Sequence, residues 1–96
     1  MNITPQAAHD EGAIILDVRT PAERAQAHIE GSHHIPLDQL PQRLDELPEG
    51  RIVCQCLSGG RSAQAAMFLA QQGRDVANMA GGIQAWHAAG LPLIHG

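Results

Sequence analysis

The sequence predicts an α/β fold built on parallel strands, and two of its features carry that prediction. Short apolar runs alternate with helix-like segments along the chain, the order expected of strands joined by helical crossovers. Ile14-Ile15-Leu16 is unbroken by polar residues, which suits a central strand covered on both faces. Ile52-Val53-Cys54 reads as a second strand of the same kind.

The elements follow in order. Asn2-Ile3 is a brief first strand. Thr4-Pro5 supplies an N-cap and a first helical residue, and Gly12 ends that short helix. After the strand at 14–16, Thr20-Pro21 repeats the cap signal and opens a helix to about His28. Gly31 marks a turn before a short strand around His34-Ile35. Leu40, Leu44 and Leu47 fall at i, i+4 and i+7, predicting a helix over Asp38–Leu47. Pro48, Glu49 and Gly50 then turn the chain into the strand at 52–54. Cys56 to Gly60 is a loop, and Arg61 to Gln72 a helix that is apolar over much of its girth, stopped by Gly73. Val76–Met79 is the last strand, and Gly82–Ala89 the last helix, closed by Gly90.

Size and composition bound the function. The 96 residues make one domain, 1–96, and a chain this short buries about two thirds of its unfolded surface. Phe68 and Trp86 are the only aromatic residues, so Ile, Leu, Val, Ala and Met must build the core. A formal charge of −4 argues against nucleic acid as a partner. Lysine is absent, which excludes Schiff-base chemistry and the phosphate-binding Gly-Lys-Ser/Thr loop. No run is long enough to span a bilayer, and Met1 to Pro5 lacks the marks of a signal peptide. A cytoplasmic protein is expected. Cys54 and Cys56 are the whole thiol inventory, too few and too close for a disulfide scaffold. The six histidines lack the spacing of a zinc site, so no metal is assigned.

Cys56 stands where a strand ends and a helix is about to begin. In open α/β sheets ligands bind beyond the carboxyl ends of the strands. A helix N-terminus offers unpaired N–H groups and partial positive charge. Gly59 and Gly60 let the loop curl so that its amides point inward as an anion-binding nest, and Arg61 adds a permanent charge. This setting favours a thiolate. Lowering a cysteine pKa from ~8.5 to ~6.5 raises the thiolate share at neutral pH from about 3% to roughly three quarters.

Cys56-Leu57-Ser58-Gly59-Gly60-Arg61-Ser62 resembles the active-site loop of rhodanese-like sulfurtransferases. Asp17-Val18-Arg19 with Pro21 and Glu23, His28-Ile29-Glu30-Gly31 with Ile35-Pro36-Leu37, and Gly81-Gly82-Ile83-Gln84-Ala85-Trp86 with Gly90-Leu91-Pro92 are similar to further motifs of that family, in the family's order. The resemblance implies a five-stranded, mostly parallel sheet flanked by helices on both faces. It also implies a ping-pong reaction without cofactor, in which Cys56 takes the sulfane sulfur of a donor such as thiosulfate as a persulfide. Cyanide or a thiol, including one on a protein, then accepts it. By this match the amides of Leu57, Ser58, Gly59, Gly60, Arg61 and Ser62 stabilise the charged sulfur, and Arg61 helps hold the anion.

Several residues have plainer readings. Cys54 shares a strand face with Cys56 but is expected to be a small buried hydrophobe rather than a resolving thiol. Asp17 and Arg19 are expected to form a structural ion pair that fixes the loop. Ala27 stands where the family often has glycine, and His28 is given no proton-transfer role. Trp86 is expected in the core. Phosphatases of the same fold resemble Cys-x5-Arg in their loops; here four residues separate Cys56 from Arg61, which favours sulfur. A sulfur carrier or thiol-sensing module is the other alternative.

Overall fold

The computed structural model describes residues Met1–Gly96. Two threonines set the helix starts as the sequence indicates. The Thr4 hydroxyl accepts the Ala7 amide ahead of α1 (Pro5–Asp10). Thr20 and Glu23 close a reciprocal capping box ahead of α2 (Pro21–Gln26), which satisfies two otherwise unpaired donors. The remaining helices are α3 (Gly60–Gln71) and α4 (Gly82–Ala88).

Five strands form the main sheet: β1 (Asn2–Ile3), β2 (Ile14–Asp17), β4 (His33–His34), β5 (Ile52–Gln55) and β6 (Val76–Met79), in the order β1-β6-β5-β2-β4. All four pairings are parallel. Leu16 is in register with Cys54, and Cys54 with Asn78. Because side chains alternate along a strand, β5 feeds two cores. Ile52, Cys54 and Cys56 face one with Leu16, Leu40, Ala65 and Leu69. Val53 faces the other with Ala8, Ile15, Met79, Ile83 and Trp86. Helix α3 thus covers one face, and α1 with α4 the other, as the α/β reading requires.

Three local expectations are corrected. The helix expected over Asp38–Leu47 is two short 3₁₀ segments, Leu37–Gln42 and Leu44–Glu46. Pro41 lies inside the first, where it has no N–H to give an α-helical bond. Leu40 and Leu47 are still buried, so the spacing reported burial but not helix type. Helix α2 stops at Gln26 rather than near His28. There Ala27–His28 (β3) pairs antiparallel with Ile94–His95 (β7) in a separate two-stranded sheet. Two-residue strands give no periodicity to read. The strand placed around His34-Ile35 is His33–His34, with Ile35 buried just beyond it. No helix is long and apolar enough to cross a membrane.

Candidate active site

Strand β5 ends at Gln55, and Cys56 follows at the carboxyl edge of the sheet, 1% exposed. The next residues wrap around its sulfur. Gly59 adopts φ +115°, a left-handed conformation open chiefly to glycine, and its N–H donates to Cys56 Sγ at 3.0 Å. Helix α3 begins at the next residue, so its first amides and positive dipole end face the sulfur. The Ser62 hydroxyl lies 3.3 Å from Sγ. Burial by itself pushes the Cys56 thiol up. Hydrogen bonds from the Ser62 hydroxyl and from the Ser62, Gly59 and Ser58 amides outweigh it and hold the thiol below its ordinary value.

The inward aim of the amides is set from the other side of the loop. The Cys56 carbonyl accepts the Ile83 amide at 2.8 Å and the Gln55 side-chain amide at 2.9 Å, and the Leu57 carbonyl accepts the Gln84 amide at 3.2 Å. In a trans peptide the C=O and the following N–H point oppositely. Anchoring these two carbonyls on the start of α4 therefore turns the Leu57 and Ser58 N–H groups away from α4. Gln55 Oε1 stays buried without a partner, a cost of about 1–3 kcal/mol carried by the residue next to Cys56.

Of the residues singled out by sequence, Ser62 is buried beside Sγ, Gly59 is bonded to it, and Leu57, Ser58 and Gly60 form the exposed rim. The Arg61 guanidinium makes no hydrogen bond to the sulfur. It forks onto Glu23 instead, Nη1 to Oε1 at 2.7 Å and Nη2 to Oε2 at 2.9 Å. The pair straps α3 to α2 across the mouth of the loop, leaving Arg61 a nearby charge already partly neutralised. Asp17 and Arg19 form the expected buried ion pair, Nη2 to Oδ2 at 2.8 Å, and Arg19 also donates to the Ala27 carbonyl. They tie β2 to the end of α2 and do not touch Sγ. His28 is half-buried on β3, and Trp86 is buried with its Nε1 on the Pro92 carbonyl.

Two further groups that touch the loop carry no signal in its local sequence. Asn78 on β6 contacts both Ser62 and Gly59. Gly82 lies so close that a Cβ there would sit 2.5 Å from both the Cys56 and Leu57 oxygens. The Gly81-Gly82 pair was visible as a motif, but only the fold reveals what it meets.

The Arg61 fork holds the Glu23 carboxyl down at about 2, against a smaller upward push from burial and with help from the Thr20 amide and hydroxyl. A carboxyl more acidic folded than unfolded adds stability above its ordinary range near 4.5 and loses it as pH falls toward 2. The whole displacement corresponds to ~3 kcal/mol. Side chains 28% and 37% exposed are screened by solvent, so about 1 kcal/mol is expected in practice. Glu23→Gln should therefore lose about 1 kcal/mol at pH 7, and the gap to the native protein should close between about pH 5 and 2.5. Urea unfolding across that range measures it; a gap that widens in acid would contradict the assignment.

Cys54 is 0% exposed, and burial first, then the neighbouring Cys56, pushes its thiol up to about 12. Burial and the raised thiol both disfavour a thiolate at this position. Cys54→Val should leave the chemistry at Cys56 within about twofold, since an apolar β-branched residue suits a strand. Loss of turnover in a folded variant, or a Cys54–Cys56 disulfide after mild oxidation, would show Cys54 to be a working thiol.

A parallel α/β sheet with a cysteine cradled by amides at its carboxyl edge is a setting that stabilises a thiolate. The model of the rhodanese-like domain matches residues 4–89. A sulfurtransferase of Allochromatium vinosum is 41% identical over 95 residues, 97% of this chain and 89% of that one. The thiosulfate sulfurtransferase GlpE of Haemophilus influenzae is 35% identical over 97 residues, covering 95% and 91%. A solved rhodanese-related protein of Thermoplasma volcanium superposes with a TM-score of 0.91 at 31% identity, over 97% of this chain and 96% of that one. Other relatives are longer, and the chain spans 43% of one of them. The chain belongs to the rhodanese-like domain family of sulfurtransferases.

Proposed function

We propose that the protein moves a sulfane sulfur from a donor such as thiosulfate to cyanide or a thiol acceptor through a persulfide on Cys56. The observation that carries this reading is the cradle: the sulfur of Cys56, a residue 1% exposed, ringed by amides and by the Ser62 hydroxyl. In the first half-reaction the Cys56 thiolate attacks the outer sulfur of thiosulfate. The donor's S–S bond breaks and sulfite leaves with the electron pair. The negative charge now rides on the outer sulfur of Cys56–S–S⁻, where inward-facing loop amides stabilise it. In the second, the acceptor attacks that outer sulfur and Cys56 leaves as thiolate. Holding the Cys56 thiol below its ordinary value reduces the need for a general base.

Access favours small donors. Beside the loop lies a cleft of about 440 Å³ that includes Arg19, Glu23, Leu57, Ile83 and His87. It gives a thiol acceptor, free or on a protein, room to approach from the Leu57 rim. Two free thiols suit a reducing compartment, and we place the reaction in the cytoplasm. Four residues between Cys56 and Arg61, with Arg61 taken up by Glu23, suit a single sulfur better than a phosphate, which binds best to a free guanidinium fork.

The test is intact mass after incubation with thiosulfate. The protein should gain one sulfur atom, lose it on adding cyanide or a reduced thiol, and hydrolyse an aryl phosphate negligibly. Phosphate release with no sulfur gained would overturn the reading. Uptake of sulfur with no discharge to any small acceptor would favour a carrier or sensor instead.

A further inference from the structure

Ser62 Oγ has one proton and three acceptors around it. Asn78 Oδ1 lies at 2.5 Å, Cys56 Sγ at 3.3 Å and the Gly59 carbonyl at 3.3 Å. The amide of Asn78 is oriented without ambiguity. Its Nδ2 faces two oxygens, the Gly59 carbonyl at 3.2 Å and Asn2 Oδ1 at 3.3 Å, so its oxygen must face Ser62. Ser62 is 0% exposed and Asn78 8%, so bulk water is a poor substitute for either partner.

We infer that Asn78 is a positioning residue that competes with Cys56 for the Ser62 hydroxyl proton, making that hydroxyl a rotor that follows the charge on Sγ. This rests on the persulfide reading above. While Sγ is a thiol, or bonded to a second sulfur, it is a weak acceptor and the hydroxyl donates to Asn78. When Sγ is a thiolate the hydroxyl turns to it, and Asn78 Oδ1 gives up its donor. The competition tempers the stabilisation of the thiolate. That matters because a thiolate made too weak a base is also a poorer nucleophile. In the second half-reaction the returning hydroxyl meets the charge as Sγ leaves.

Other ionisable groups stand around Cys56. They are Arg61 on α3 with Glu23 on α2, Asp17 on β2, Arg19 just beyond it, Cys54 on β5, and His87 on α4 across the cleft. None of them hydrogen-bonds Ser62 or Asn78. Asn78 reaches Sγ by two routes, through the Ser62 hydroxyl and through the Gly59 carbonyl that it holds, and a double-mutant cycle isolates the first.

The experiment follows the pH dependence of Cys56 alkylation by iodoacetamide in the native protein, Ser62→Ala, Asn78→Ala and the double variant. Ser62→Ala should raise the midpoint by about one pH unit through loss of a donor to the anion. Asn78→Ala should lower it by roughly half a unit by removing the competitor. In the Ser62→Ala background, Asn78→Ala should no longer lower it. An equal shift with and without Ser62 would overturn the proposal and leave Asn78 a loop brace. If Asn78→Ala fails to fold, Asn78→Asp serves, being nearly isosteric and a stronger acceptor. Its upward shift should shrink when Ser62 is absent, and an undiminished shift would mean direct charge repulsion alone. These titrations read Cys56 itself, so they stand whether or not thiosulfate loads the protein; absence of loading would sink the functional reading only.

Discussion

Cys56→Ser is expected to reduce sulfur uptake from thiosulfate by on the order of 10³-fold or more, to the limit of detection, as removal of a catalytic nucleophile does elsewhere. The cradle that favours a thiolate cannot ionise a serine hydroxyl at neutral pH, and an alcohol attacks a sulfane sulfur poorly. The fold should survive. Serine is nearly isosteric, and its oxygen can accept the same Gly59 amide that Sγ accepts in the native protein. Thermal unfolding should therefore move by only a few degrees while the intact mass no longer rises after thiosulfate. Cys54 offers no detour, since it is fully buried and its thiol is pushed up to about 12. Sulfur gained by Cys56→Ser at the native rate would place the chemistry elsewhere.

What the sequence disclosed about this site follows from what is contiguous in it. Cys56 to Ser62 is one stretch of chain, so strand end, glycine turn and helix start could all be read there. The parallel architecture was legible for a similar reason: buried strands such as Ile14–Leu16 are locally unbroken apolar runs. The partners that come from afar were not legible. Arg61 finds Glu23, thirty-eight positions away, a pairing that joins α3 to α2. Asn78 reads as one polar residue in a strand until β6 is seen beside β5, in register with Cys54. The leucine spacing around Pro41 misled in the other direction. The leucines around it kept their burial, while its missing N–H turned the expected helix into 3₁₀ segments.

Gly82→Ala should be severely damaging although it lies outside the loop, because it attacks the support that aims the amides. Gly82 has φ +61°, and a Cβ there would lie 2.5 Å from the Cys56 and Leu57 oxygens and 2.6 Å from the Leu57 carbonyl carbon. All three are backbone atoms and cannot swing aside as a side-chain tip would. Either α4 retreats, breaking the Ile83-to-Cys56 and Gln84-to-Leu57 bonds, or the loop moves with its amides. Displacements of about 1 Å at a reacting centre can cost ~100-fold in rate, so turnover should fall at least that far. Stability should drop by about 2–4 kcal/mol, from the left-handed backbone and the overlap together. Gly90→Ala separates the two causes. Gly90 also has a positive φ, +76°, but nothing lies within 4 Å of its Cβ position. It should lose only about 1 kcal/mol, from backbone strain, and keep native turnover. Persulfide formation and urea unfolding measured on both variants give the comparison. If Gly82→Ala proved no worse than Gly90→Ala in either measurement, the carbonyl anchors on α4 would not be what holds the cradle in shape.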